Sequence, residues 1–152
     1  EDFIKFVNKS NTPLDFVSTH HYPGTSGLGS KDLVRDFSSN QHTLQALGVS
    51  SSSLQLSEFN AGLFRQYLAF KSHDLPFAGA FSATVLPNMS ASGLARSDQV
   101  VSYWTFSDVF EEIYFDSRAF HDGYGLITVD GIAKPAFRVF ELLHQLPEGS
   151  QV

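Results

Sequence analysis

From Leu14 to His20 the chain reads Leu-Asp-Phe-Val-Ser-Thr-His, a β-rich run entered through Pro13 and left through Pro23-Gly24. The period then changes. Leu33, Val34, Phe37, Leu44 and Leu47 form a helical stripe, with Ser30 placed to cap a helix from Lys31 and Gly48 placed to stop it. After the polar linker Ser50 to Ser53, Leu54 to Phe59 predicts a second strand. Phe77 to Ala95 predicts a helix interrupted or kinked at Pro87. Val100 to Phe106 predicts a third strand, and Gly125 to Ile132 a small hairpin around a two-residue Asp130-Gly131 turn. Pro135 then opens a last helix with Phe137, Val139, Phe140, Leu142 and Leu143 on its apolar side. Ahead of the first strand, Phe3, Ile4, Phe6 and Val7 predict the last turns of an amphipathic helix, so Glu1 reads as a cut or processed end.

The predicted order is helix, strand, helix, strand, helix, strand, helix. Alternation of this kind makes an α/β fold with parallel strands joined by right-handed crossovers. Three such units either form a small open sheet or make up part of a (β/α)8 barrel, which takes about 250 residues when complete. The 152 residues hold a single segment of one domain, and 42% hydrophobic against 17% charged residues excludes wholesale disorder. A net charge of -6 without any run of Lys or Arg speaks against nucleic acid as a partner, and against a basic helix lying on a membrane. No apolar stretch approaches the roughly 18 residues of a transmembrane helix, and no signal-peptide pattern opens the chain. The absence of cysteine removes disulfide scaffolds, thiolate zinc sites and cysteine nucleophiles.

In parallel α/β folds the functional side chains gather at the carboxyl ends of the strands. Those ends carry His20-His21-Tyr22, Ser57-Glu58-Phe59-Asn60 and Tyr103-Trp104-Thr105-Phe106-Ser107-Asp108. Strand alternation groups Glu58 with Leu54 and Leu56, His20 with Ser18 and Tyr22, and Trp104 with Ser102 and Phe106. If the face of Leu54 and Leu56 lines a barrel interior, Glu58 sits at its mouth. The remaining histidines, His42, His73, His121 and His144, are scattered, so no metal site is read from them. Gly24 to Lys31 falls short of a phosphate loop because Ser30 stands where the lysine belongs, and no Gly-x-Ser-x-Gly elbow supports a serine hydrolase. Taken singly, the His pair reads as loop, Trp104 as core and Glu111-Glu112 as a solvated loop pair.

Together the segments Asp15 to Tyr22, Ser57 to Asn60, Ser102 to Glu112, Phe120 to Leu126 and Lys134 to Phe137 resemble glycoside hydrolase family 39, which contains β-xylosidases and α-L-iduronidases. The resemblance implies the C-terminal portion of a (β/α)8 TIM barrel, about three βα units corresponding to strands six to eight. It implies a retaining glycosidase that needs no cofactor and no metal, with a carbohydrate (a xyloside or related glycoside) as substrate. Glu58 takes the place of the family's nucleophile. His20, Tyr22, Trp104, Glu111 and Glu112 fall where the sugar is bound. The family's acid/base glutamate ends strand four in an Asn-Glu pair, and no Asn-Glu dipeptide occurs here. The missing barrel half is then the expected partner, and the isolated chain is expected to be inactive. Two other readings remain beside this one: a noncatalytic carbohydrate-binding relic of the barrel, and a plain α/β structural domain.

Overall fold

The structure, a computed structural model, describes residues 2–23, 29–49, 54–62, 73–109 and 116–147. Its elements are α1 (Asp2–Ser10), β1 (Val17–His21), α2 (Ser30–Ala46), β2 (Leu54–Phe59), α3 (Pro76–Ala91), β3 (Val101–Tyr103) and α4 (Pro135–His144). The strands form one parallel sheet in the order β1-β2-β3. Type and order of the four predicted helices and three predicted strands are as expected, while the hairpin predicted over Gly125 to Ile132 is reduced to a turn with one antiparallel bridge between Ile127 and Ala133. The polar linker 50–53 and the glycine-rich stretch 24–28 lie outside the described residues.

One face of the sheet is covered. Leu54, Leu56 and Phe59 from β2 pack with Leu33, Phe37 and Leu44 of α2, and with Ala78, Phe81, Val85 and Met89 of α3. Val17, Val101 and Tyr103 join from the flanking strands. Phe59 meets the Tyr103 ring edge-on at 5.6 Å, and Tyr103 meets Phe140 of α4 at 5.7 Å. Ser18 and His20 turn the other way and are exposed. Alternation along β1 therefore separates a helix-facing side from an open side.

The helix ends follow their sequence signals in part. Gly48 takes φ 80° just past α2, while its N–H reaches Gln45 O and that of Val49 reaches Leu44 O, which closes the helix in a Schellman motif. Pro135 stands in the first turn of α4. Ser30, by contrast, does not cap α2: Gly29 is the cap residue, and the Ser30 hydroxyl accepts from Asn88 of α3 at 2.7 Å. Helix α3 runs through Pro87 without a break and stops at Ala91, because Gly93 at φ 66° ends it in a second Schellman motif.

The strand ends also shift for identifiable reasons. Pairing of β1 begins only where Val17 meets Leu54. Strand β3 stops at Tyr103, beyond which β2 has ended: Trp104 N–H still takes the carbonyl of Phe59, but Thr105 N–H turns to Tyr124 O. The 128–132 turn has three loop residues rather than two. Thr128 N–H bonds Ile132 O, and Gly131 supplies the left-handed residue at φ 78°.

Candidate functional site

Strand β2 contains one residue more than either neighbour at its carboxyl end. Thr19 pairs with Leu56 but His20 with Glu58, and on the other side Leu56 and Phe59 pair with Val101 and Tyr103. Ser57 is the extra residue of a β-bulge, which reverses the alternation beyond it. Burial follows: Leu54, Leu56 and Phe59 are buried, whereas Ser57 and Glu58 are only partly so. The expected grouping of Glu58 with Leu54 and Leu56 is thus corrected. Their face packs on helices, and the bulge turns Glu58 to the opposite, open side.

There Glu58 meets two residues of β1 and its exit. The Tyr22 hydroxyl donates to Glu58 Oε2 at 2.7 Å, and His20 Nδ1 lies 3.1 Å from that same oxygen. Both contacts fall on Oε2. The Glu58 side chain is 23% exposed. A carboxylate at a strand end with one oxygen held by a tyrosine hydroxyl beside an imidazole is arranged to act as a nucleophile or a base.

Next to it, Asn60 forms a floor. Fully buried, it donates from Nδ2 to the carbonyls of Trp104 and, at 3.3 Å, Tyr124. Its Oδ1 accepts the Ala61 N–H at 2.6 Å and the Tyr103 hydroxyl at 3.3 Å. Burial pushes the Tyr103 phenol well above its ordinary range, so it remains a neutral donor. Tyr103 faces the helices, so alternation carries Trp104 toward the open side, and the Trp104–Thr105 peptide is cis. His21 faces α2, where burial lowers its pKa against the opposing pull of Asp36, 3.8 Å away.

Behind this floor is a polar cluster that the sequence did not announce. Lys134, with no exposed surface, pairs with Asp74 at 2.6 Å and with Asp108. His73, equally buried, places Nδ1 3.4 Å from Asp122 and Nε2 3.0 Å from the Gly62 carbonyl. A lysine ahead of a helix-opening proline carries no sequence signal of burial. Glu111 and Glu112, expected at the sugar site, lie outside the described residues. Among the described residues no group of three or more His, Cys, Asp or Glu is arranged to hold a metal ion.

The family model described as Glycosyl hydrolases family 39 matches residues 1–152, the whole chain. The chain is 31% identical to a β-xylosidase of Caldicellulosiruptor saccharolyticus over 153 aligned residues, covering 93% of this chain and 29% of that protein. It is 30% identical to a β-xylosidase of Geobacillus stearothermophilus, covering 95% of this chain and 30% of that one. Among solved structures, a GH39 β-xylosidase from Caulobacter crescentus superposes with a TM-score of 0.76 at 28% identity, over 95% of this chain and 29% of that one. The chain therefore spans less than a third of the length of the relatives it matches, and is a partial α/β region of such a protein.

Proposed function

Because the chain belongs to glycosyl hydrolases family 39, we propose that residues 1–152 are one segment of a β-xylosidase-like catalytic (β/α)8 barrel, strands six to eight, in which Glu58 is the nucleophile of a retaining glycosidase. In this reading β1, β2 and β3 are those three strands, and the open face of the sheet looks into the barrel.

The observation that carries the reading is the placement of Tyr22 and His20 on Glu58 Oε2 at the carboxyl end of a parallel strand. Tyr22 and His20 hold Oε2 and orient the carboxylate, and Oε1 is the oxygen that attacks. Attack forms a bond from Oε1 to the anomeric carbon as the bond to the leaving oxygen breaks. That oxygen takes a proton from a second carboxyl group about 5 Å away, supplied by the rest of the barrel. The same group then deprotonates the water that displaces Glu58. Trp104 offers a ring face to the C–H groups of the sugar, and Glu111 and Glu112 complete the hydroxyl contacts.

A dinitrophenyl 2-deoxy-2-fluoro-β-xyloside tests this on the chain itself, since so good a leaving group departs without a protonating acid. Covalent addition of one fluoroxylosyl group to the peptide containing Glu58, lost in Glu58→Gln, is expected. Reversible xylose binding without any labelling overturns the nucleophile assignment in favour of a noncatalytic carbohydrate-binding relic.

A further inference from the structure

A fully buried ammonium persists in a protein only when it is paired and hydrogen-bonded. Lys134 meets that demand through three acceptors from three stretches of chain. Asp74 enters α3, Asp108 follows β3, and the Gly123 carbonyl, 3.0 Å away, precedes α4. The carboxylates of Asp74 and Asp108 balance its charge, and the Gly123 carbonyl accepts a hydrogen bond from it.

Each partner is tethered in turn. Asp74 Oδ2 accepts the Asp122 N–H at 2.7 Å, and Asp108 Oδ1 accepts the Gly125 N–H at 2.6 Å. The Lys134 N–H itself binds Leu126 O at 2.9 Å. Residues 122–126 are thereby held at both ends. The approach is close: a Cβ at either Gly123 or Gly125 would collide with the Asp108 carboxylate. Between the tethers, the Tyr124 carbonyl receives the Thr105 N–H at 3.2 Å and Asn60 Nδ2 at 3.3 Å. Asn60 also binds the carbonyl of Trp104, whose N–H is fixed on Phe59 O at 2.9 Å.

We propose that Lys134 is a positioning residue for Trp104: the Lys134–Asp74–Asp108 cluster sets residues 122–126, and these, with Asn60, fix the aromatic wall of the site. Its meaning for catalysis rests on the sugar-binding reading above, while the link from Lys134 to Trp104 stands in the ligand-free chain. Buried ion pairs add little net stability, but three acceptors at fixed places define one arrangement of the segments that supply them.

Trp104 is the sole tryptophan, so the fluorescence of the 152-residue chain reports on it alone. Three variants are compared with the parent at low temperature, where far-UV circular dichroism shows which are folded. Lys134→Met removes the ammonium. Asp108→Ala cuts the tether to Gly125 and leaves Lys134 in charge balance with Asp74. Leu44→Ala weakens the core on α2, away from the cluster, and controls for destabilisation alone. Lys134→Met is expected to shift Trp104 emission and raise its acrylamide quenching constant about two-fold or more, as a loosened segment exposes the indole. Asp108→Ala moves both in the same direction, and Leu44→Ala moves neither. If Lys134→Met does not fold, Asp108→Ala decides. An unchanged Trp104 signal in the folded variant, or an equal change in Leu44→Ala, overturns the positioning role. Titration of the parent with D-xylose is read separately: no response of Trp104 counts against sugar binding and leaves the ligand-free comparison intact.

Discussion

Tyr22 reaches from the exit of β1 to Glu58 at the end of β2, closing a 2.7 Å hydrogen bond between neighbouring strands. A hydrogen bond to a charged group is worth about 1.5–3 kcal/mol. Tyr22→Phe keeps the ring and removes the donor. The rate at which the activated fluoroxyloside labels Glu58 is then expected to fall about ten- to hundred-fold. Mass spectrometry of the labelling time course measures it, and an unchanged rate would show that His20 alone orients the carboxylate.

Phe59 is 1% exposed and lies where the sheet meets α3 and the Tyr103 ring. Phe59→Ala removes that contact and leaves a hole the neighbours only partly fill. A loss of about 3–5 kcal/mol is expected from urea unfolding of the chain. A loss below about 1 kcal/mol would mean that this end of the sheet repacks freely.

Gly48 ends α2 at φ 80°, and a Cβ there would meet only Asn8 Nδ2 at an ordinary 3.6 Å. The cost of Gly48→Ala is therefore conformational, not steric crowding. It is expected at about 1–2 kcal/mol, the penalty for an L side chain in the left-handed region. Gly48→Asn, which tolerates that region, is expected to cost less in the same unfolding assay.

His21 makes folding sensitive to mild acid. Burial depresses its folded pKa below the ordinary 6.5, with Asp36 and Asp32 pulling the other way and Arg35 adding to the depression. The unfolded chain binds the proton first as pH falls. The contribution of His21 is thus complete above pH 6.5 and is lost progressively below it, toward the folded pKa. Unfolding free energies at about pH 7.5 and about pH 5.5 should differ more in the parent than in His21→Asn. Equal differences would assign the acid sensitivity to other groups.

Much of this architecture is written in the chain. The apolar spacing of α2, the strand Leu54 to Phe59, the stop at Gly48 and the start at Pro135 are local signals, and the structure obeys them. What escaped depends on partners far away in sequence. The Ser30 hydroxyl is taken by Asn88 instead of its own helix, and the side chain of Lys134 is claimed by Asp74 and Asp108. Its place at a strand end singles out Glu58, but strand alternation assigns it to the wrong face. Nothing in Leu-Ser-Glu-Phe distinguishes a bulged strand from a regular one, because the bulge is defined by the neighbours' pairing.

The extra residue in β2 makes the orientation of Glu58 a matter of counting rather than of chemistry. Ser57 can be replaced by many side chains without moving the carboxylate, since its contribution is its length of backbone. Deleting it leaves Leu56, Glu58 and Phe59 as consecutive residues opposite Thr19, His20 and His21, so regular alternation keeps Glu58 on the open side and Phe59 against the helices. A substitution scan and a deletion scan of β2 would accordingly both find Ser57 dispensable for the side on which the acid lies, whereas pairing Ser57 in regular register would turn Glu58 into the helix layer. Relatives that lack this residue should carry the acid on the same side of the sheet, on a regular strand in place of the bulged one.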